Sequence, residues 1–193
     1  MCHICIILGH YLTCGTDYTA DGPEEILGLV LELSDNMPDK ADLLHNCGVG
    51  FYRSFLDNTN RKENIDNSIL AFKSAVHLTP QGHSDMPSRL NMLGLLFLRR
   101  FQLAGDFTDI SKAILYQQEA LHLIPEGHAS MLGCLNNLGN SFQIRFKHMG
   151  DLADISDAIS HQQKAVHFTL EGHSDMPSLL NNLGVSLDRK SVV

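Results

Sequence analysis

The sequence predicts an all-α protein built from stacked helical hairpins, and three observations carry that expectation. The string GHSDMPSRLNMLG starts at Gly82, returns as GHASMLGCLNNLG at Gly127 and again as GHSDMPSLLNNLG at Gly172, forty-five residues apart each time. A fixed period of this size marks a supersecondary unit that stacks on its own copies. Between the copies, apolar residues recur at the three- and four-residue spacing of an amphipathic helix. Asp, Gly and Pro then fall where such helices should begin and end.

Taken in order, residues 1–22 stand outside the array as an unassigned N-terminal segment. They open MCHICIILGHYL, with no cation before the apolar run; the first Lys or Arg of the chain is Lys40. A secretory leader starts with basic residues, so none is expected here. PEEILGLVLEL, from Pro23 to Leu33, reads as a second helix without its first (23–36). Full units are expected over 37–81, 82–126 and 127–171, followed by an incomplete unit over 172–193.

Each unit reads as two helices. Leu90, Leu93, Phe97, Phe101 and Ala104 form the buried stripe of one first helix, repeated by Leu135, Leu138, Phe142, Phe146 and Met149. Asp106 and Asp151 follow Gly105 and Gly150 and are placed to accept bonds from the unpaired amides of the second helices. Ile110, Ala113, Ile114, Gln117, Ala120 and Leu121 share one face of such a helix, which Pro125 and Gly127 stop. The GHSDMPS string is then the link between units: Ser84 or Asp85 is expected to cap the next helix, with Pro87 in its first turn. The copy at Gly127 lacks the Asp and Pro yet keeps register, which a linker tolerates and a catalytic loop does not. Gly48, Gly94, Gly139 and Gly184 recur in mid-helix, where Gly costs about 0.5–1 kcal/mol against Ala. Close approach of a neighbouring helix is the expected compensation, helped by Ala113 and Ala158 and by Ala75, Ala120 and Ala165.

These columns resemble the tetratricopeptide (TPR) repeat. Leu93-Gly94, Phe97, Ala113, Ala120 and Pro125 match its pattern, as do Leu138-Gly139, Phe142, Ala158 and Ala165, with Leu170 in place of Pro. Cys47-Gly48, Phe51, Ser68, Ala75 and Pro80 give a third, looser match. The period departs from the family's usual 34, and the early aromatic of the first helix is missing. LNNLG in a longer unit is similar to kinesin light-chain type repeats, and the whole motif set is similar to arrays of fungal proteins that precede a caspase-like CHAT peptidase domain. The resemblance covers Pro23 to the C-terminus. It implies a right-handed α-α superhelix of antiparallel helix pairs, with first helices lining a concave face that holds a peptide.

Composition and motifs narrow the chemistry. Net charge is −8, against the clustered cations that a nucleic-acid phosphate backbone requires. No apolar run reaches the roughly 18 residues of a membrane span. Five cysteines, an odd number with three in the first fourteen residues, form no disulfide framework, so a reducing, cytoplasmic setting is expected. His83-Ser84-Asp85 holds the letters of a hydrolase triad, but adjacent residues rarely face one another in the required relay. The columns His77, His122, His167 and His83, His128, His173 repeat too far apart for one ion; helix-end histidines facing terminal carbonyls are expected instead. Cys2, Cys5, His10 and Cys14 are similar to a zinc knuckle, one residue short before the last Cys and without basic neighbours. Cys47 takes a core Leu position, and Phe51, Phe97 and Phe142 are core stripe.

The expected function is therefore a non-catalytic scaffold for a protein or peptide partner, with no cofactor, and with end-to-end association through the uncapped repeat ends. The expected concave-face residues are Asn46, Asn137 and Asn182 in one column, Asn91, Asn136 and Asn181 in the next, and Asn140. An amide both donates and accepts, so a ladder of Asn suits a peptide backbone irrespective of sequence; the alternative is that these amides only tie neighbouring helices. A regulatory fragment of a CHAT-type peptidase and an N-terminal metal or nucleic-acid module are the rival readings.

Overall fold

The computed structural model describes residues 23–57, 62–169 and 173–191. Among them there are eight helices and no strand: α1 (Pro23–Glu32), α2 (Lys40–Asp57), α3 (Glu63–Leu78), α4 (Met86–Ala104), α5 (Phe107–Leu123), α6 (Ser130–Met149), α7 (Leu152–Phe168) and α8 (Met176–Ser191). They fall into two compact units, one holding α1–α3 and the other, from Thr79 onward, α4–α8.

In the first unit α2 packs against both α1 and α3. Ile26, Leu27 and Val30 of α1 share a core with Leu43, Leu44, Cys47 and Phe51 of α2 and with Ala71 and Ala75 of α3. Lys40 is buried and its Nζ donates to the carbonyls of Leu31 (2.9 Å) and Leu33 (2.5 Å) and to Asp35 Oδ1 (2.8 Å). The cation thus satisfies carbonyls that the end of α1 leaves unpaired, and its hydrogen bond and charge hold the Asp35 carboxyl below the usual carboxylate range.

The second unit shows how the period works. α4 pairs with α5 and α6 with α7, while α6 touches α5 and α4, and α8 touches α7 and α6. The stripes Leu90, Leu93, Phe97, Phe101 and Leu135, Leu138, Phe142, Phe146 are buried as expected. Ala104 and Met149, expected on the same stripes, are exposed: they are the last or nearly the last helical residues, past the point where the partner helix begins. Leu121, near the far end of α5, is half-buried and packs against the cluster of Leu135, Ala165 and Leu179. The C-caps of α4 and α6 are Gly105 and Gly150, both at φ 74°, each returning its N–H to the carbonyl four residues back at 2.7 Å. Asp106 and Asp151 cap α5 and α7 by accepting from Thr108 N and Ala153 N, both at 2.9 Å. That backbone bond lowers the Asp106 pKa.

Gly94 and Gly139 are where the second helices come closest. A Cβ on Gly94 would lie 2.6 Å from Gln117 Cγ and 2.9 Å from the Ala113 carbonyl oxygen; on Gly139 it would lie 2.7 Å from Gln162 Cγ and 3.3 Å from the Ala158 oxygen. Ala113, Ala120, Ala158 and Ala165 are wholly buried on the facing helices. The expected trade of helix propensity for close packing is what these positions show.

The cap expected from Ser84 or Asp85 is not made: the N-cap of α4 is Asp85, whose side chain bonds no helix amide. His83 Nδ1 accepts the Asp85 N–H instead, at 3.2 Å, and the same bond joins His128 to Ser130 and His173 to Asp175. This column therefore serves the turn amides rather than terminal carbonyls. It explains why the Gly127 copy can lose Asp and Pro and keep its shape, since the imidazole does the work.

Candidate functional site

The expected binding residues lie on first helices, and in the second unit the structure joins most of them. Asn137 Nδ2 of α6 donates to Asn91 Oδ1 of α4 at 3.3 Å, and Asn182 Nδ2 of α8 donates to Asn136 Oδ1 of α6 at 3.0 Å. All four are half-buried. The two bonds form a ladder across three successive first helices. Each Asn uses one end of its amide on a neighbour; the Nδ2 of Asn91 and Asn136 and the Oδ1 of Asn137 and Asn182 remain as a donor and an acceptor at every step. Gln143 of α6 fastens α8 beside the ladder, its Nε2 donating to Ser186 Oγ at 2.7 Å and to the Asn182 carbonyl at 3.4 Å.

Asn140 faces elsewhere: its Oδ1 accepts from Gln162 Nε2 of α7 at 3.3 Å, inside the α6–α7 pair. Asn181 is exposed on α8. Asn46 is exposed on α2, in the other unit.

Paired charges in the α4–α5 and α6–α7 hairpins were legible only in hindsight. Arg100 of α4 binds Asp109 of α5 through two bonds of 2.8 Å, and Arg145 of α6 binds Asp154 of α7 at 2.8 and 2.5 Å. Both carboxylates are buried, and this fork-on-fork geometry is the strongest form of side-chain hydrogen bond. The hydrogen bond to Asp154 raises the Arg145 pKa. The signal in the sequence was an Arg and an Asp nine apart, repeated after forty-five residues. The same guanidinium groups lie over the core rings, Arg100 5.2 Å from the Phe97 centroid and Arg145 5.4 Å from that of Phe142.

Other chemically suggestive residues have plain geometries. Ser84 Oγ faces Asp85 Oδ1 at 3.5 Å, while His83 Nδ1 is taken by the Asp85 amide, so the three side chains do not form a relay. His83 and His128 line an open cleft of about 260 Å³ between two linkers, with Pro87, Leu123, Ile124 and Pro125. Among the described residues no cluster of three His, Cys, Asp or Glu is arranged for a metal ion; Cys2, Cys5, His10 and Cys14 lie outside the described residues. Burial pushes the Cys47 thiol up to about 11 and that of Cys134 to about 12, so neither is a thiolate at neutral pH. Among the described residues no helix is long and apolar enough to cross a membrane.

No family model matches this chain, and neither does any curated protein. Among solved structures, the crystal structure of BtubC (BKLC) from P. vanneervenii is similar, with a TM-score of 0.64 at 18% identity over 96% of this chain and 70% of that one. At that identity the likeness is one of fold: the chain is an all-α, solenoid-like helical repeat array.

Proposed function

We propose that this chain is a non-catalytic scaffold that binds an extended protein segment along the face of its first helices. The observation that carries the reading is the Asn ladder, in which inter-helix bonds fix each amide and leave a donor and an acceptor at each step. An extended backbone offers carbonyls and amides in alternation, and groups held in place bind it with little further loss of side-chain freedom. The partner is another protein; a cytoplasmic, reducing setting suits the free thiols. The finer family reading, TPR-like units of the type that precede CHAT peptidase domains in fungal proteins, rests on the quoted motifs. A His and Cys pair downstream in the full transcript tests it.

The experiment takes peptides selected on the chain from a random display library and measures their affinity for the wild type and for Asn137→Ala/Asn182→Ala. Affinity is expected to fall by about tenfold or more, with the unfolding free energy changed only by the roughly 1 kcal/mol that each lost hydrogen bond contributes. Unchanged affinity overturns the proposal, and collapse of the fold assigns the ladder to structure alone.

A further inference from the structure

The charge of the second unit is unevenly laid out. Seven of its nine Lys and Arg stand on the first helices α4, α6 and α8, but only one of its eleven Asp and Glu, Asp188, does. The other acids collect on α5 and α7 and in the links. Much of the positive charge is already spent. Arg100 and Arg145 hold Asp109 and Asp154, Arg89 is buried, and Lys190 meets Ser156 of α7 at 3.1 Å. Three cations are left, one on each first helix: Arg99 of α4, Lys147 of α6 and Arg189 of α8. Arg99 and Lys147 are exposed and Arg189 is half-buried, and among the described residues none of the three forms an ion pair. Arg99 Nη1 donates to the neutral Gln102 at 3.0 Å, which leaves its charge uncompensated.

These three share a face with the Asn ladder. Arg99 lies eight residues after Asn91, Lys147 eleven after Asn136 and Arg189 seven after Asn182, close to two or three whole turns of a helix. At 1.5 Å per residue they stand roughly 10–16 Å along the helices from the amides, a gap that a long cation and a Glu side chain span between them. Asp188 takes the register position of Gln143, which on α6 reaches sideways to the next first helix, so this one acid lies at the edge of the face. A row of amides thus runs beside a row of uncompensated positive charge. We propose that the segment bound on this face is acidic, its backbone on the Asn ladder and Asp or Glu side chains along it facing Arg99, Lys147 and Arg189. The inference rests on the reading of this face as a peptide site and adds the chemistry of the partner. Charge of one sign along a face raises the local concentration of an oppositely charged ligand and turns away a like-charged one. The local pattern therefore selects an acidic partner, although the chain as a whole carries −8. Three cations against that net charge are too few for a nucleic-acid backbone.

The test uses peptides selected on the full chain from the random display library. They are expected to be richer in Asp and Glu than the input library. They should bind Arg99→Gln/Lys147→Gln/Arg189→Gln about tenfold or more weakly than the wild type. Each single substitution should weaken binding about twofold, so the test does not depend on the triple variant folding. Raising the salt from about 0.05 to about 0.5 M should weaken wild-type binding and narrow its advantage over the triple variant. Lys112→Gln/Lys164→Gln, which removes positive charge from α5 and α7 instead, should change affinity by less than about twofold. Neutral or basic selected peptides overturn the proposal, and so do acidic peptides whose affinity the three substitutions leave unchanged. If Asn137→Ala/Asn182→Ala still weakens those peptides, the scaffold reading stands and the acidic partner alone falls. Failure to select any peptide sinks both. An oligothymidylate that binds through the same three cations as tightly as the peptides also overturns the proposal, by giving the face to nucleic acid.

Discussion

The α2–α3 and α6–α7 hairpins follow one plan with different chemistry at three matched positions. Over the mid-helix glycine, the first lays the Phe72 ring and the second the Gln162 side chain. Beside it, Ser68 donates to the Gly48 carbonyl at 2.8 Å where the second hairpin has buried Ala158. Near the turn, Asn64 donates to Ser54 Oγ at 3.0 Å where Asp154 holds Arg145. A neutral pair replaces an ionic one, and an aromatic ring replaces an amide. The lesson is that the glycine and the approach it permits define the hairpin, and that the residues filling the gap can be exchanged as a set.

That comparison can be broken most severely at the glycines. Gly94→Ala should destabilise by about 1–3 kcal/mol, and shortening Gln117 should not rescue it, because the Ala113 carbonyl is also only 2.9 Å from the new Cβ. Gly48→Ala should be rescued by Phe72→Leu, since its close contacts are all with that ring. Chemical denaturation of the two single and two double variants distinguishes them.

Next come the turn pairs. Asp154→Ala should cost about 1.5–3 kcal/mol, the range for bonds to a charged group, and Asn64→Ala about 1 kcal/mol, as for a neutral bond. Thermal unfolding of both variants, read as free energies, gives the ratio.

A smaller effect of opposite sign separates α4–α5 from α6–α7. Gln117 is wholly buried with neither its Nε2 nor its Oε1 bonded, whereas Gln162 reaches Asn140; Leu95 occupies the register position of Asn140. Gln117→Met should therefore stabilise by about 1 kcal/mol through removal of unpaired polar atoms, while Gln162→Met is close to neutral in the same denaturant titration.

The smallest is a pH dependence. His161 stacks on Phe142 at 5.8 Å, as Tyr116 stacks on Phe97 at 5.6 Å. Burial, helped by Lys164, lowers the His161 pKa from its ordinary 6.5. As pH falls, the unfolded chain takes up the proton first. The stability contributed by the neutral ring is therefore complete above pH 6.5 and declines below it, toward the folded pKa. His161→Tyr should flatten this part of the stability profile between neutral and mildly acidic pH.

Much of this was legible in the sequence because it is periodic. Gly94 and Gly139, the alanines opposite them and the phenylalanine stripes could be read without coordinates, since each is fixed by contacts inside one helical hairpin. The Asn ladder was legible only as letters. Which amide bonds which depends on the step between hairpins, and the observed offset pairs Asn137 with Asn91 across forty-six residues rather than with its own column. The linker cap alone was misread, because Ser84 and Asp85 are common N-caps, while a His two residues before the amide is a less familiar acceptor. The orphaned Gln117 follows from Leu95, a change in one copy that a reading by consensus smooths away.

The most direct test of the central claim follows the Asn side-chain amides by NMR while a library-selected peptide is titrated into the labelled chain. The account predicts shifts concentrated on the Nδ2 groups of Asn91, Asn136, Asn137 and Asn182, with the helical backbone signals otherwise in place. Saturable binding that leaves those four amides unmoved would contradict it.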